Sequence, residues 1–498
     1  MASRRPVRND RTRVWLMEGG AGPFTTPTYE GFMKAGTPRL QKGQKTAVTN
    51  PNPDAYGEFE IIDEVAAART NPQLSLTGRY MYELSKLLRI ANQDCPNDIQ
   101  IHMGVCEDPK SFNEGWQKIL VLEEATSDDW GTGGDIGALN ESDRAIVDET
   151  STFSGRALYE IGPIGLAELA ATTTEKEVID IVVCDRATCS GECGTGSDGC
   201  QKIFAVETFG GASPSTKPGL TYSEDGGASW TTIDIDTLGA SEAPTGIECV
   251  GRNVVVISSG SNSLHYAAAD DILEGDETWV EVTTGFVASK TPNDIFSLGA
   301  SFTWIVANGG YIYFAEDITS GVAVQDAGNA TVQNLLSIHG VDEENLVAVG
   351  ASNAVVYTNN GGDSWSAATG PATGVQLNTV WARSESEWLV GTNDGHIYAT
   401  RNSGRTWTDV TIPGQGTDAV LDIKFSTRSV GWAVQTHSGA GRLLRTIDGG
   451  KSWYVAPEGT GSMPSNQRLN ALAVCNNANK AYAAGLGTGT DGFIVEAA

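Results

Sequence analysis

No apolar run in this 498-residue chain approaches the length that crosses a bilayer, so membrane insertion is not expected. The basic start, MASRRPVRNDRTRVW, lacks the apolar core of a secretory signal, so synthesis and folding in a cytoplasm are expected. Histidine is scarce: His102, His265, His339, His396 and His437 stand at no metal-ligand spacing, and no metal is expected. Neither a phosphate-binding P-loop nor a G-x-S-x-G elbow occurs, so no cofactor and no catalytic residue is assigned. Basic residues are few, 33 against 62 acidic ones, and the net charge of −29 argues against nucleic-acid binding by the body. Helical spacing is rare too. It shows clearly only over 81–92, where Leu84, Leu87, Leu88 and Ala91 share a face. What is abundant is glycine, 59 residues, which suits a turn-dense all-β chain.

One eight-residue pattern recurs beyond residue 220. Its positions are Ser223, Asp225, Gly227 and Trp230; Thr358, Asn360, Gly362 and Trp365; Thr400, Asn402, Gly404 and Trp407; and Thr446, Asp448, Gly450 and Trp453. Alternating apolar residues precede each copy and a strand restarts at each Trp, so each copy reads as a β-hairpin turn. The Asp or Asn accepts loop N–H groups, the Gly takes a positive φ, and the Trp packs beneath the turn. Adjacent copies lie about 42 to 46 residues apart, the length of a four-stranded propeller blade.

The pattern resembles the Asp-box, or BNR repeat, of sialidases, sortilin-type receptors and photosystem-assembly propeller factors. The resemblance implies a β-propeller with the boxes as structural staples on its rim. Seven inner strands are expected, over 179–184, 246–250, 294–298, 335–339, 377–381, 420–425 and 469–474. Two of the blades have lost the box. The last blade has only three strands of its own, so a fourth is expected from 157–169, closing the ring. Six blades with an extending tail is the alternative. The Arg-Ile-Pro signature of sialidases is missing, and Arg401, Arg405 and Arg445 lie in or beside box turns, on the rim. A glycosidase carboxylate pair is therefore the lesser reading.

Eight cysteines fall into groups. Cys95 and Cys106 bracket one segment. Cys184, Cys189, Cys193 and Cys200 crowd a Gly-rich loop, where disulfides, free thiols and a metal all remain open. Cys249 and Cys475 are expected to be buried thiols.

Charge divides the chain. Residues 161–498 carry about 16 basic and 38 acidic groups, whereas 1–45 carry about nine basic and three acidic, with Arg4, Arg5, Arg8, Arg11 and Arg13 among them. The reading is a basic inter-subunit arm (1–45), a small β domain with one helix (46–160), and the propeller (161–498). The order of arm, strands over 57–65 and 73–80, helix 81–92, and strands over 98–105 and 115–122 resembles the tail tube protein of long-tailed bacteriophages. That resemblance implies a small sandwich or barrel. It also implies copies of the chain in stacked rings around passing DNA, a place in the virion tail after assembly in the host cytoplasm, and a propeller displayed outside toward host glycans or proteins. The alternatives are a soluble assembly or binding propeller and a glycan hydrolase.

Overall fold

The computed structural model describes 164, 166–169, 176–184, 201–208, 217–240, 242–371, 374–412, 418–436, 441–456, 468–475, 480–486 and 492–498, with the strands of the first 161 residues. The chain divides into two compact units, Met1–Pro163 and Ile164–Ala498. The expected strand over 57–65, the helix over 81–92, Cys95, Cys106, Cys189, Cys193, Cys200, Arg4, Arg5, Arg8 and Arg11 lie outside the described residues.

The first unit holds one eight-stranded antiparallel sheet. Its centre is Asn97–Gly104 against Trp116–Gly131, flanked by Arg13–Glu18 and Asp148–Ser154. Trp116–Gly131 runs well past the expected end at 122, through a register shift between Ser127 and Asp129. Val121 and Leu122 on it are buried. Arg13–Glu18, Tyr29–Phe32 and Arg39–Gln41 are strands within the stretch read by charge as an arm, so Arg13 begins a sheet strand.

The second unit is seven four-stranded antiparallel sheets. The inner strands are Val178–Cys184, Pro244–Val250, Pro292–Leu298, Leu335–Gly340, Leu377–Ala382, Val420–Phe425 and Arg468–Val474, in blades 1 to 7. Each lies against the inner strand of the next blade, and the seventh lies against the first. The six-blade alternative is thus excluded. In blade 7, Arg468–Val474, Ala481–Leu486 and Gly492–Ala497 take their fourth partner from Leu166–Glu168, paired Val495 to Glu168 and Ala497 to Leu166. The ring is closed by chain from before blade 1, as expected.

The four boxes sit between the third and fourth strands of blades 1, 4, 5 and 6 and share one hydrogen-bond pattern. In blade 6 the Thr446 hydroxyl donates to Asp448 Oδ1 (2.7 Å) and accepts from Gly450 N (2.9 Å), while Ser452 N donates to Asp448 Oδ1 (2.9 Å). Blade 1 repeats this with Ser223, Asp225, Gly227 and Ser229. Asn360 and Asn402 do the same in blades 4 and 5. Gly450 has φ +82°, which an L side chain resists, and a Cβ there would lie 2.4 Å from Leu389 of blade 5. The box therefore both turns its hairpin and docks it on the preceding blade. Thr446 is fully buried, so Thr446→Val should cost roughly 1–3 kcal/mol by orphaning the Gly450 and Asp448 amides, while Thr446→Ser stays near native. Urea unfolding checks this; equal losses would refute the hydroxyl's role.

Two features depart from expectation. The boxless blade 2 turns through a short helix, Ala269–Glu274, ended by Gly275 at φ +77°. Arg445 is not on the rim; it is fully buried, its guanidinium 5.0 Å from the Trp432 ring centre.

Candidate functional site

Each inner strand carries a register shift one residue before a recurring position: Asp180, Gly246, Asp294, Ser337, Thr379, Asp422 and Ala471. A bulge of this kind takes backbone groups out of the ladder, and they need other partners. The side chain at the recurring position provides one. Asp180 accepts from Ile247 N of blade 2 (3.1 Å), Asp294 from Ile338 N (2.9 Å), and Asp422 from Leu472 N (3.0 Å). The hydroxyls of Ser337 and Thr379 accept from Val380 N (3.2 Å) and Ile423 N (3.3 Å). The extra residue of the bulge works in the same direction as a donor. Thr245 reaches Pro292 O (2.8 Å), Asn293 reaches Leu335 O (2.6 Å), Asn378 reaches Val420 O (2.9 Å), and Asn470 reaches Val178 O (2.9 Å). Taken together, these bonds cross all seven blade junctions, the last of them joining blade 7 to blade 1.

The residue after each recurring position is Ile181, Ile247, Ile295, Ile338, Val380, Ile423 or Leu472, and all seven are buried. The residues on either side of it, Gly246 excepted, line an axial cavity of about 370 Å³. One arc of the cavity is acidic: Asp180, Glu248 and Asp294, from blades 1 to 3. The adjoining arc, from blades 3 to 5, is aromatic, with the His339 ring 4.8 Å from Phe296 and 3.9 Å from Trp381. Lys424 stands between them, 3.6 Å from Asp422.

The electrostatics follow from four carboxyls sharing one ammonium. Burial pushes Glu248 up to about 8, with Lys424 opposing, and Asp294 up to about 7, against the pull of the Ile338 amide. Asp180 is raised too, first by burial. Burial works against the Lys424 charge, but Asp422, Asp180, Glu248 and Asp294 outweigh it and hold the ammonium above its usual range. His339 is pushed down to about 3, by burial and then by Lys424. Its Nδ1 accepts from Ala382 N (3.2 Å), so the neutral ring carries its proton on Nε2.

All four carboxyls accept at least one backbone amide, Glu248 from Cys249 N (2.9 Å). They are part of the frame. Sequence reading passed over this set, although the triplets Ile179-Asp180-Ile181, Asn293-Asp294-Ile295 and Leu421-Asp422-Ile423 repeat a charged residue inside an apolar strand.

The cysteines correct an expectation. Cys184, for which a disulfide was one of the open readings, forms one with Cys249 and joins the inner strands of blades 1 and 2. Cys249 and Cys475 are both disulfide-bonded and are not free thiols. Among the described residues no group of His, Cys, Asp and Glu could hold a metal ion.

A closed ring of seven four-stranded blades with Asp-box turns defines a seven-bladed β-propeller protein. YCF48 from Cyanidioschyzon merolae is similar in structure, with a TM-score of 0.50 at 16% identity over 67% of this chain and 98% of that one. A structure described as YCF48 bound to D1 peptide covers 68% and 95%, with a TM-score of 0.49 at 16% identity. These likenesses concern the fold. No protein-family model matches the chain, and no curated protein matches it.

Proposed function

We propose that the propeller is a binding module that holds a partner polypeptide, without catalytic activity of its own. The observation that supports this is the use of its buried acids. Asp180, Asp294 and Asp422 each accept an amide of the next blade, so they serve ring rigidity and are not poised for proton transfer. A rigid ring whose loops emerge at fixed positions is a platform for recognition. The reading agrees with the resemblance of the box repeats to propeller assembly factors. It is tested by immobilising the full-length chain and identifying captured polypeptides by mass spectrometry, beside a panel of sialosides and other glycosides. A discrete partner and no turnover are expected. Turnover lost on mutation of a single carboxylate would overturn the reading.

A second reading is supported by the eight-stranded sheet of the first unit, with its 16-residue strand Trp116–Gly131. In it, that unit polymerises into tubes, as the tail-tube resemblance implies, and the propeller decorates a virion. Electron microscopy of the purified chain decides: rings or tubes support it, and a monomer at every concentration removes it.

A further inference from the structure

The propeller is acidic, yet its cations are not spread evenly. Of the 16 lysines and arginines beyond residue 160, eight lie between Arg383 and Lys451, in blades 5 and 6. Three of these line a cavity of about 440 Å³ between the two blades, and among the described residues Glu387 is the one acid in its wall. Arg383 follows the inner strand of blade 5. Arg401 lies in the box turn of blade 5, and Lys451 in that of blade 6. They meet because the blade 6 box packs down onto blade 5. A Cβ at Gly449 would stand 2.6 Å from Arg383 Nη2, so the glycine, at φ +69°, lets the guanidinium lie against the turn.

Arg383 is the floor of the cleft, its side chain 12% exposed. Its Nη2 donates to Arg428 O (3.0 Å) and Nη1 is 3.6 Å from Glu387. Its Nε has no hydrogen-bond partner among the described residues. Burial weakens its hold on its proton; Glu387 opposes this, and Arg428 and Arg401 add to it. Arg401 at the lip is exposed. Trp388 and Leu389 supply an apolar side to the same cavity. A guanidinium with donors to spare, two further cations and an apolar wall suit a carboxylate carried on a short side chain. A long polyanion is disfavoured, because the rest of the acidic body would repel it.

Resting on the binding reading above, we propose that the cleft between blades 5 and 6 is where the partner docks, and that it takes an acidic segment of polypeptide, with Arg383 at its floor and Arg401 and Lys451 at its lip.

The test titrates the full-length protein with a labelled glutamate-rich nonapeptide and its glutamine counterpart, by fluorescence polarisation at low and high salt. The glutamate peptide should bind at least about tenfold tighter and weaken with salt. The double variant Arg401→Ala/Lys451→Ala should lose at least about tenfold, and Arg401→Ala alone, at an exposed side chain, should lose part of this while keeping its melting temperature. Arg383→Lys, which keeps charge but removes the planar fork, should bind more weakly than native. Equal binding of both peptides, native affinity in the double variant, or saturation by inorganic phosphate with no peptide binding would overturn the proposal. If a partner captured by the native chain is retained equally by the double variant, the cleft proposal fails and the binding reading stands. If the native chain captures none, the binding reading fails and the peptide titration still judges the cleft.

Discussion

Replacing Lys424 with Met should destabilise the propeller by about 3–5 kcal/mol at pH 8, and by less at pH 5. Among the described residues the side chain is the one cation facing Asp180, Glu248, Asp294 and Asp422, with neutral His339 lining the same cavity. Removing it leaves four carboxyls with only backbone amides and the Thr379 hydroxyl as partners among the described residues. Lys424 and Asp422 keep 29% and 17% of their side-chain surface open, so lumen water screens the pair and the lower end of the range is expected. The pH dependence has a definite sign. Glu248 (to about 8) and Asp294 (to about 7) are raised above their ordinary values of 4.5 and 3.8. Between about pH 4 and 8 the folded chain therefore holds protons that the unfolded chain has released, and these groups make stability fall as pH rises through that window. Without Lys424 the same carboxyls rise further and the slope steepens. At pH 5 Glu248 and Asp294 are protonated in the folded state, so the missing ammonium costs less there. Urea unfolding followed by tryptophan fluorescence at both pH values measures this. An equal loss at pH 5 and pH 8 would show that Lys424 acts by packing alone.

The second large effect is expected at the ring closure. Ala167 is exposed and pairs with Glu496, and Leu169 N donates to Ile494 O (3.1 Å). By the alternation of an antiparallel ladder, Ala167 faces Glu496 across a hydrogen-bonded pair. Proline at 167 removes that donor from a strand of three residues, too short to survive the loss. We expect Ala167→Pro to cost roughly 3–4 kcal/mol: two or three ladder bonds at about 1 kcal/mol each, plus the burial of Leu166 and Leu169. Leu169 packs in the blade 7–blade 1 core with Trp230 and Tyr482, so its release loosens the junction where the ring ends meet. The freed edge of Gly492–Ala497 should also promote self-association. Ala167→Ser, which changes the side chain and keeps the N–H, should stay within about 0.5 kcal/mol of native. Thermal unfolding and light scattering of the three proteins decide; a native-like proline variant would show that the closure strand is dispensable.

Much of the propeller could be read from residue order because its repeating unit is local. A box is eight residues whose hydroxyl, Asp or Asn side chain and glycine satisfy one another within the turn, and the spacing of adjacent boxes gives the length of a blade. The inner strands were legible from their apolar runs, and the closing strand from a deficit of one strand in blade 7. The same residues were silent about the axial cavity. Asp180 meets Ile247, 67 positions away, and Lys424 answers carboxyls from blades 1, 2, 3 and 6. No periodicity in the chain distinguishes an inward carboxylate that ties two blades from one that faces solvent. The partner of Cys184 stayed open for a related reason. Cys184 and Cys249 are 65 residues apart and meet only because consecutive inner strands stand side by side.

The sequence by itself determined the box turns, the inner strands and the means of closure, and it narrowed the ring to seven blades or six, because those depend on hydrogen bonds within a few residues and on the count of strands. The tertiary structure alone decided which polar groups face the axis, which cysteines join, and which cations gather between blades 5 and 6. Those follow from the angular placement of whole blades, which brings residues separated by forty or more positions to within a few ångströms, and burial then gives each such encounter its energy.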